Sequence, residues 1–261
     1  MLDADRQNID AALLNEAVRE AGALAHTLFR QGIRNWRKDD GSVVSEADIK
    51  VDALLKGKLQ TARPGIGWLS EETADSDARL GCEKIWIVDP IDGTRSFVSG
   101  GSEWCVAAAL IERGRPVATA IYKPVTEEFY SAVKGGGAEL NGSRIKVRDG
   151  AGLEHARVIG NKTSLAKLAG QGITPWIASD IPLLLRLAYV ACGVADGALS
   201  LGNKNDWDLA AGDLLVHEAG GRTSATSGRG MEFNRPQAWQ DGMVAGGPNR
   251  HAAMIGALRE S

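Results

Sequence analysis

IWIVDPIDGTRSFV, residues 85–98, sets four apolar residues before two carboxylates, Asp89 and Asp92, held three apart around a proline and followed by glycine and threonine. Two readings compete for it. Asp92-Gly93 is a good two-residue turn, so IWIV and SFV could be the arms of a hairpin. Alternatively, a strand ends in two acids that collect a metal and a phosphate, with the glycine letting backbone approach an anion and Thr94 offering a hydroxyl. The rest of the chain has to decide between them.

Outward from that stretch, strand-like runs CVAAALIE, VATAIYKP and FYSAVKG follow at short spacing, which predicts an antiparallel meander, with GGGAELNG as the next turn. Before it lies GIGWLSEE, a short strand running into Glu71 and Glu72. Ile9, Leu13, Ala17, Ala21, Leu24 and Leu28 form an apolar stripe over residues 8–30, a helix that should stop near Gly32. WRKDDGSV reads as a polar loop, and Ser45-Glu-Ala-Asp48 has the spacing of a capping box that opens a second helix through about Leu59. After residue 156, short apolar runs (RVIG, PWIAS, DGALSL) alternate with helical ones (IPLLLRLAYVACGV, WDLAAGDLLVHEAGG), the texture of an α/β half. Two lobes are expected, residues 1–150 and 151–261.

At 261 residues the chain can bury roughly three quarters of its unfolded surface. Apolar residues make up 44% and charged residues 24%, with a net charge of −3, so no global field draws in nucleic acid or an anionic membrane. Its three cysteines lack metal-ligand spacing and read as reduced thiols, and the four histidines fall in no motif and read as structural. MLDADRQNID has neither a basic nor an apolar leader region, and the longest apolar stretch is interrupted by Arg186. A cytoplasmic protein without a membrane span is expected.

Carboxylates recur where a strand ends or a helix begins: Asp48, Glu71 and Glu72, Asp89 and Asp92, and Asp208 in WDLAAGDLL. Backbone N–H groups and helix dipoles point at such places, and acids converging there repel one another unless cations hold them. Oxygen ligands with no histidine or cysteine cluster favour Mg²⁺ over zinc. Singly, an Asp-Gly is a turn and a Glu-Glu a solvated pair; their joint occurrence favours the metal reading.

Together LSEE (69–72), WIVDPIDGT (86–94), GGGAELNG (135–142) and WDLAAGDLLVHEAGG (207–221), with SVVSEAD (42–48), resemble the inositol monophosphatase superfamily of Mg²⁺-dependent, lithium-sensitive phosphatases. The resemblance spans nearly the whole chain and displaces the hairpin. It implies a layered αβαβα, sugar-phosphatase-type α/β (α+β) fold, a small-molecule phosphate monoester substrate and, commonly, a homodimer. By that likeness Glu71, Asp89 and the Ile91 carbonyl bind one metal, Asp89, Asp92 and Asp208 a second, and Glu71 also a third, so two or three Mg²⁺ ions are expected. Glu72 would support the water shell, Thr94 and Asp48 would orient and activate the nucleophilic water, and backbone around Gly93 and Thr94 would receive the phosphate.

Within the superfamily the likeness is closest to the bacterial 3'(2'),5'-bisphosphate nucleotidases, through WLSEET, VDPIDGTRSF, ALIERGRPVATAIYKPVTEEFYSA and Lys38, ten residues before Asp48. Arg95 would suit a second substrate phosphate. Leu201 stands seven residues before Asp208, where inositol phosphatases typically carry a glutamate that reads sugar hydroxyls, and a leucine would pack against adenine instead. Lys204 and Asp206 of GNKND could also touch substrate. The leading expectation is release of the 3'-phosphate of adenosine 3',5'-bisphosphate. Inositol-1-phosphate, histidinol phosphate or a sugar phosphate are alternatives, as is a regulatory binding protein with incidental phosphatase activity.

Overall fold

The computed structural model describes residues 2–39, 41–178 and 180–260, with side chains from residue 7 onward; Asp40 of WRKDDGSV and Ser179 of PWIAS lie outside them. Helix α1 (Leu2–Gln31) leads, through a hairpin of β1 (Asn35–Arg37) and β2 (Val43–Ser45), into α2 (Glu46–Ala62). There follow β3 (Gly67–Ser70), a 3-10 turn at Asp77–Gly81, β4 (Lys84–Asp92), the short helix α3 (Thr94–Val98), and β5 (Cys105–Glu112), β6 (Arg115–Lys123), β7 (Glu128–Val133), β8 (Gly137–Leu140) and β9 (Ser143–Arg144). Strands β3 to β9 pair in chain order in one seven-stranded sheet, parallel only at β3 and β4.

The second sheet uses β10 (Arg157–Gly160), then α4 (Lys162–Ala166), β11 (Thr174–Ile177), α5 (Leu183–Ala191), β12 (Gly197–Asn205), α6 (Ala210–Glu218), β13 (Arg222–Ser224), β14 (Trp239–Gly246) and α7 (Pro248–Glu260). Its five strands lie in the order β11-β10-β12-β14-β13 and mix parallel with antiparallel pairs.

Strand alternation stacks these pieces into αβαβα layers. Trp86 and Val88 of β4 pack with Leu14, Val18 and Val51 of α1 and α2. Ile85 and Ile87, one residue out of step, pack with Leu184, Leu187 and Leu215 of α5 and α6, which also cover Ala198 and Met243 of the second sheet. Val158, Leu199 and Val244 on that sheet's far face meet Leu165, Met254 and Ile255 by α4 and α7. Both faces of each sheet are covered, so IWIV and CVAAALI read as unbroken apolar runs rather than alternating ones. Each fully buried Leu or Ile contributes about 1.5–3 kcal/mol of burial free energy.

Three local expectations are corrected. Ile9 is exposed, and the buried line of α1 runs through Leu14, Ala17, Val18, Ala21 and Ala25; small side chains let α1 lie close to the sheet. WRKDDGSV contains the turn of the β1–β2 hairpin, and GGGAELNG holds β8, paired to β7 with Tyr130 opposite Leu140. Polar, glycine-rich composition hid both, because their partner strands supply the pairing. The expected capping box is present: Ser45 is the N-cap of α2 and the Asp48 side chain returns to its backbone. Among the described residues, no helix is long and apolar enough to cross a membrane.

Candidate active site

Strand β4 does not stop at the turn its sequence offers. It stays paired to β5, with Asp89 opposite Ala107 and Asp92 opposite Cys105, so three steps on β4 face two on β5. The extra residue is a bulge. In a regular strand, residues three apart point to opposite faces; the bulge brings Asp92 back to the side of Asp89. Pro90 is tolerated there because it has no N–H to leave unpaired.

Gly93 follows with φ +99° as the N-cap of α3. A Cβ on it would stand 2.7 Å from the Glu103 carbonyl oxygen and 3.1 Å from Cγ of Pro182. Gly93→Ala is expected to cost about 2–4 kcal/mol of stability, from the left-handed backbone and the clash together, and to lower activity by displacing Asp92 and Thr94. A melting temperature within about 2 °C of the wild type would contradict this.

The other acids arrive from different directions. Because β3 runs parallel to β4 with Ser70 beside Val88, Glu71 leaves β3 level with Asp89. Asp208 lies in the turn between β12 and α6, where its carboxylate accepts the Asn205 N–H at 2.9 Å. Ligand oxygens of Asp89, Asp92 and Asp208 all lie within 4.8 Å of one another.

Compensation within this group is uneven. Asp92 accepts the Leu184 N–H at 2.7 Å, at the N-terminus of α5, where the helix dipole favours negative charge. Both carboxylate oxygens of Asp89 are buried with no hydrogen-bond partner among the described residues. Burial, reinforced by neighbouring carboxylates, raises Glu71 to about 8, Asp92 to about 7 and Asp208 to about 6, and pushes Asp89 well above the carboxylate range. A fully buried, unpartnered carboxylate among other acids is costly unless a cation joins it. The donors are all oxygens, so the group fits a hard divalent cation.

A cavity of about 490 Å³ opens over these acids and is lined by Glu71, Asp89, Asp92, Asp208, Ile91, Gly93, Thr94 and Arg95. The Ile91 side chain packs into the α1–α2 layer, so its backbone faces the cavity; its carbonyl lies 3.0 Å from the Thr94 hydroxyl. Thr94 Oγ1 also lies 3.0 Å from Asp48 Oδ1. The other oxygen of Asp48 accepts the Ser45 N–H at 2.8 Å and the Ser45 hydroxyl at 2.5 Å.

Six residues singled out in the sequence do not line this cavity: Asp48, buried behind Thr94, and Lys38, Glu72, Leu201, Lys204 and Asp206. Glu72 is held in an ion pair with Lys38 at 2.6 Å, and the same ammonium stands 3.8 Å from Glu71. Leu201 packs at the edge of the cluster that holds Leu165 and Leu199, and an irregular register between Ser200 and Asn203 makes a count of seven back from Asp208 a poor guide to side-chain direction. Lys204 caps the carbonyls of Leu201, Gly202 and Asn203. Asp206 is buried and accepts from Asn234 N–H and Gln240 Nε2, a brace for the turn that carries Asp208. Two of the four histidines make side-chain hydrogen bonds away from the cavity: His251 meets Ser224, and His217 meets Thr223.

Sequence reading missed the wall contributed by α5 and the segment before it: Asp180, Ile181, Pro182 and Arg186 line the cavity too. The available signal was Arg186 itself, the lone charge in IPLLLRLAYV.

Comparison with known proteins gives this geometry its context. The family model described as "Inositol monophosphatase family" matches residues 5–261. An inositol-1-monophosphatase of Rhizobium meliloti is 34% identical over 266 residues, covering 96% of each chain. The Nus factor SuhB of Pseudomonas aeruginosa is 32% identical over 236 residues, covering 83% of this chain and 86% of that protein. Among solved structures, the extragenic suppressor protein suhB of Bartonella henselae has a TM-score of 0.83 at 29% identity, covering 96% of this chain and 98% of its own. A match that runs almost end to end in both partners leaves no part of the acid-bearing framework outside the likeness: the chain belongs to the inositol monophosphatase family and is a phosphatase, a phosphoric monoester hydrolase.

Proposed function

We propose that the protein hydrolyses a small phosphate monoester with two or three Mg²⁺ ions held by Glu71, Asp89, the Ile91 carbonyl, Asp92 and Asp208. The observation that carries this is Asp89, a carboxylate with both oxygens buried and without a partner among the described residues, beside Asp92 and Asp208. When bound, the cations neutralise the acids, hold the phosphate oxygens and acidify a water.

The chain's own groups do the rest. Thr94 has one hydroxyl proton; donated to Asp48 Oδ1 at 3.0 Å, it leaves the lone pairs of Oγ1 to accept from the attacking water and orient it. Burial raises the Asp48 carboxyl, moving it toward the range in which it takes a proton, while Ser45 keeps it from turning. Backbone at Gly93 and Thr94 receives the phosphate, and Lys38 steadies Glu71 from outside the cavity. Residues 1–150 supply most of the ligands and residues 151–261 add Asp208. Three free cysteines suit the reducing cytoplasm.

The alcohol is read in two ways. The name of the Rhizobium meliloti relative favours inositol-1-phosphate. Arg95, exposed at the cavity wall, favours adenosine 3',5'-bisphosphate. The packing of Leu201 gives the second reading no support. Phosphate release in Mg²⁺ from these two esters, histidinol phosphate and fructose 1,6-bisphosphate, compared by kcat/KM, tests the proposal: turnover of at least one is expected, and turnover of none, or undiminished turnover in excess chelator, would refute it. The name of the Pseudomonas aeruginosa relative, Nus factor SuhB, keeps a regulatory role in view, and a folded, inactive variant that leaves the cellular phenotype unchanged would favour it.

A further inference from the structure

Arg186 is out of place in α5. Its neighbours Leu183, Leu184, Leu185 and Leu187 are all buried between the two sheets, where an apolar residue would pack better than a guanidinium. Yet Arg186 is held in one orientation: Nε donates to the Ile181 carbonyl at 2.8 Å and Nη2 to the Ala178 carbonyl at 3.3 Å. That leaves Nη1, and the remaining hydrogen of Nη2, without a hydrogen-bond partner among the described residues. Arg186 lines the cavity over the acids, as does Arg95 from α3, and neither arginine has a carboxylate ion pair within 4.0 Å among the described residues.

We propose that Arg186, with Arg95 of the same cavity lining, forms the subsite for a second phosphate of the substrate, making Arg186 a specificity-determining residue for small bisphosphates. The proposal rests on the phosphatase reading above. A planar fork fixed by two backbone carbonyls is preorganised for bidentate, charge-assisted bonds to phosphate oxygens, whereas sugar hydroxyls would offer only neutral acceptors. Ile181 and Pro182 give the same wall an apolar surface for the body of the ligand, and the cavity volume lies in the usual range for small-molecule sites. Asp180 also faces the mouth and is exposed, so it opposes an anion only weakly. The competing role is electrostatic: Asp92 is the acid that Arg186 feels most, and the arginine could serve only to balance the metal ligands.

The two roles separate in one set of measurements on wild type, Arg186→Gln and Arg186→Lys. Expected is a fall in kcat/KM for adenosine 3',5'-bisphosphate of about 10- to 100-fold in the glutamine variant, carried mainly by KM, with a much smaller loss for inositol-1-phosphate and partial recovery in the lysine variant. The Mg²⁺-dependent rise in melting temperature should match the wild type. Equal losses on both esters, or a weakened Mg²⁺ response in step with activity, would overturn the subsite and assign Arg186 to the metal cluster. If the wild type hydrolyses none of the esters, the phosphatase reading fails by itself. Calorimetric binding of the same bisphosphate then decides the subsite: weakening in Arg186→Gln supports it, and unchanged or absent binding overturns it.

Discussion

Asp89→Asn is expected to cut phosphate release at least about a thousandfold, a loss of roughly 4 kcal/mol of transition-state stabilisation, while the metal-free protein melts higher than the wild type. The two effects have one cause. Asp89 is 1% exposed, both of its oxygens lack a partner among the described residues, and ligand oxygens of Asp92 and Asp208 stand within 4.8 Å. Its charge is therefore a liability until a cation arrives, and an amide of the same shape removes the repulsion and the metal ligand together. The Mg²⁺-dependent rise in melting temperature should shrink in parallel. A variant with activity within about tenfold of the wild type would show that Asp89 holds no essential cation. A lower melting temperature in chelator would show that its charge is compensated by the fold.

Removal of divalent cations should abolish hydrolysis reversibly and leave a protein whose stability falls as pH rises. Metal-free, Asp92 titrates at about 7 and Glu71 at about 8, both above ordinary carboxylates. Between about pH 6.5 and 8.5 the folded state thus binds more protons than the unfolded state, and stability drops with rising pH. Burial lowers His251 to about 4, so the unfolded state binds its extra proton up to the ordinary histidine range; this opposite slope fades just above the lower edge of the window and leaves the carboxylates dominant through the rest of it. With Mg²⁺ present the cation takes the protons' place, and the slope should flatten or reverse. Melting curves in EDTA and in Mg²⁺ at both ends of the window read this directly, and a melting temperature in EDTA that is flat or rises with pH would sink the account.

Much of the framework was legible because its causes are local. The Ser45–Asp48 capping box needs only residues three apart, and the structure contains it. Unbroken apolar runs such as IWIV mark strands covered on both faces, and they form β4 and β5 between the helical layers. Acids at strand ends and helix starts marked Glu71, Asp89, Asp92 and Asp208, and the fold brings all four to one cavity. Elements whose stability comes from a partner stayed hidden: β8 in GGGAELNG and the β1–β2 hairpin in WRKDDGSV carry polar and glycine-rich sequences that read as turns until a neighbouring strand pairs with them.

The sequence alone thus determined which chemistry was on hand, an oxygen-rich acid set with a threonine hydroxyl and no histidine or cysteine cluster, and the order of the elements that carry it. Direction was decided only by tertiary structure. Asp92 joins Asp89 because β5 forces a bulge between them, Glu72 pairs with Lys38, Leu201 packs under the second sheet, and Arg186 enters the cavity from a helix that otherwise reads as core. A side chain's direction follows from the register and packing of its element, and these are set by residues far away in the chain; spacing counted along one segment cannot contain them.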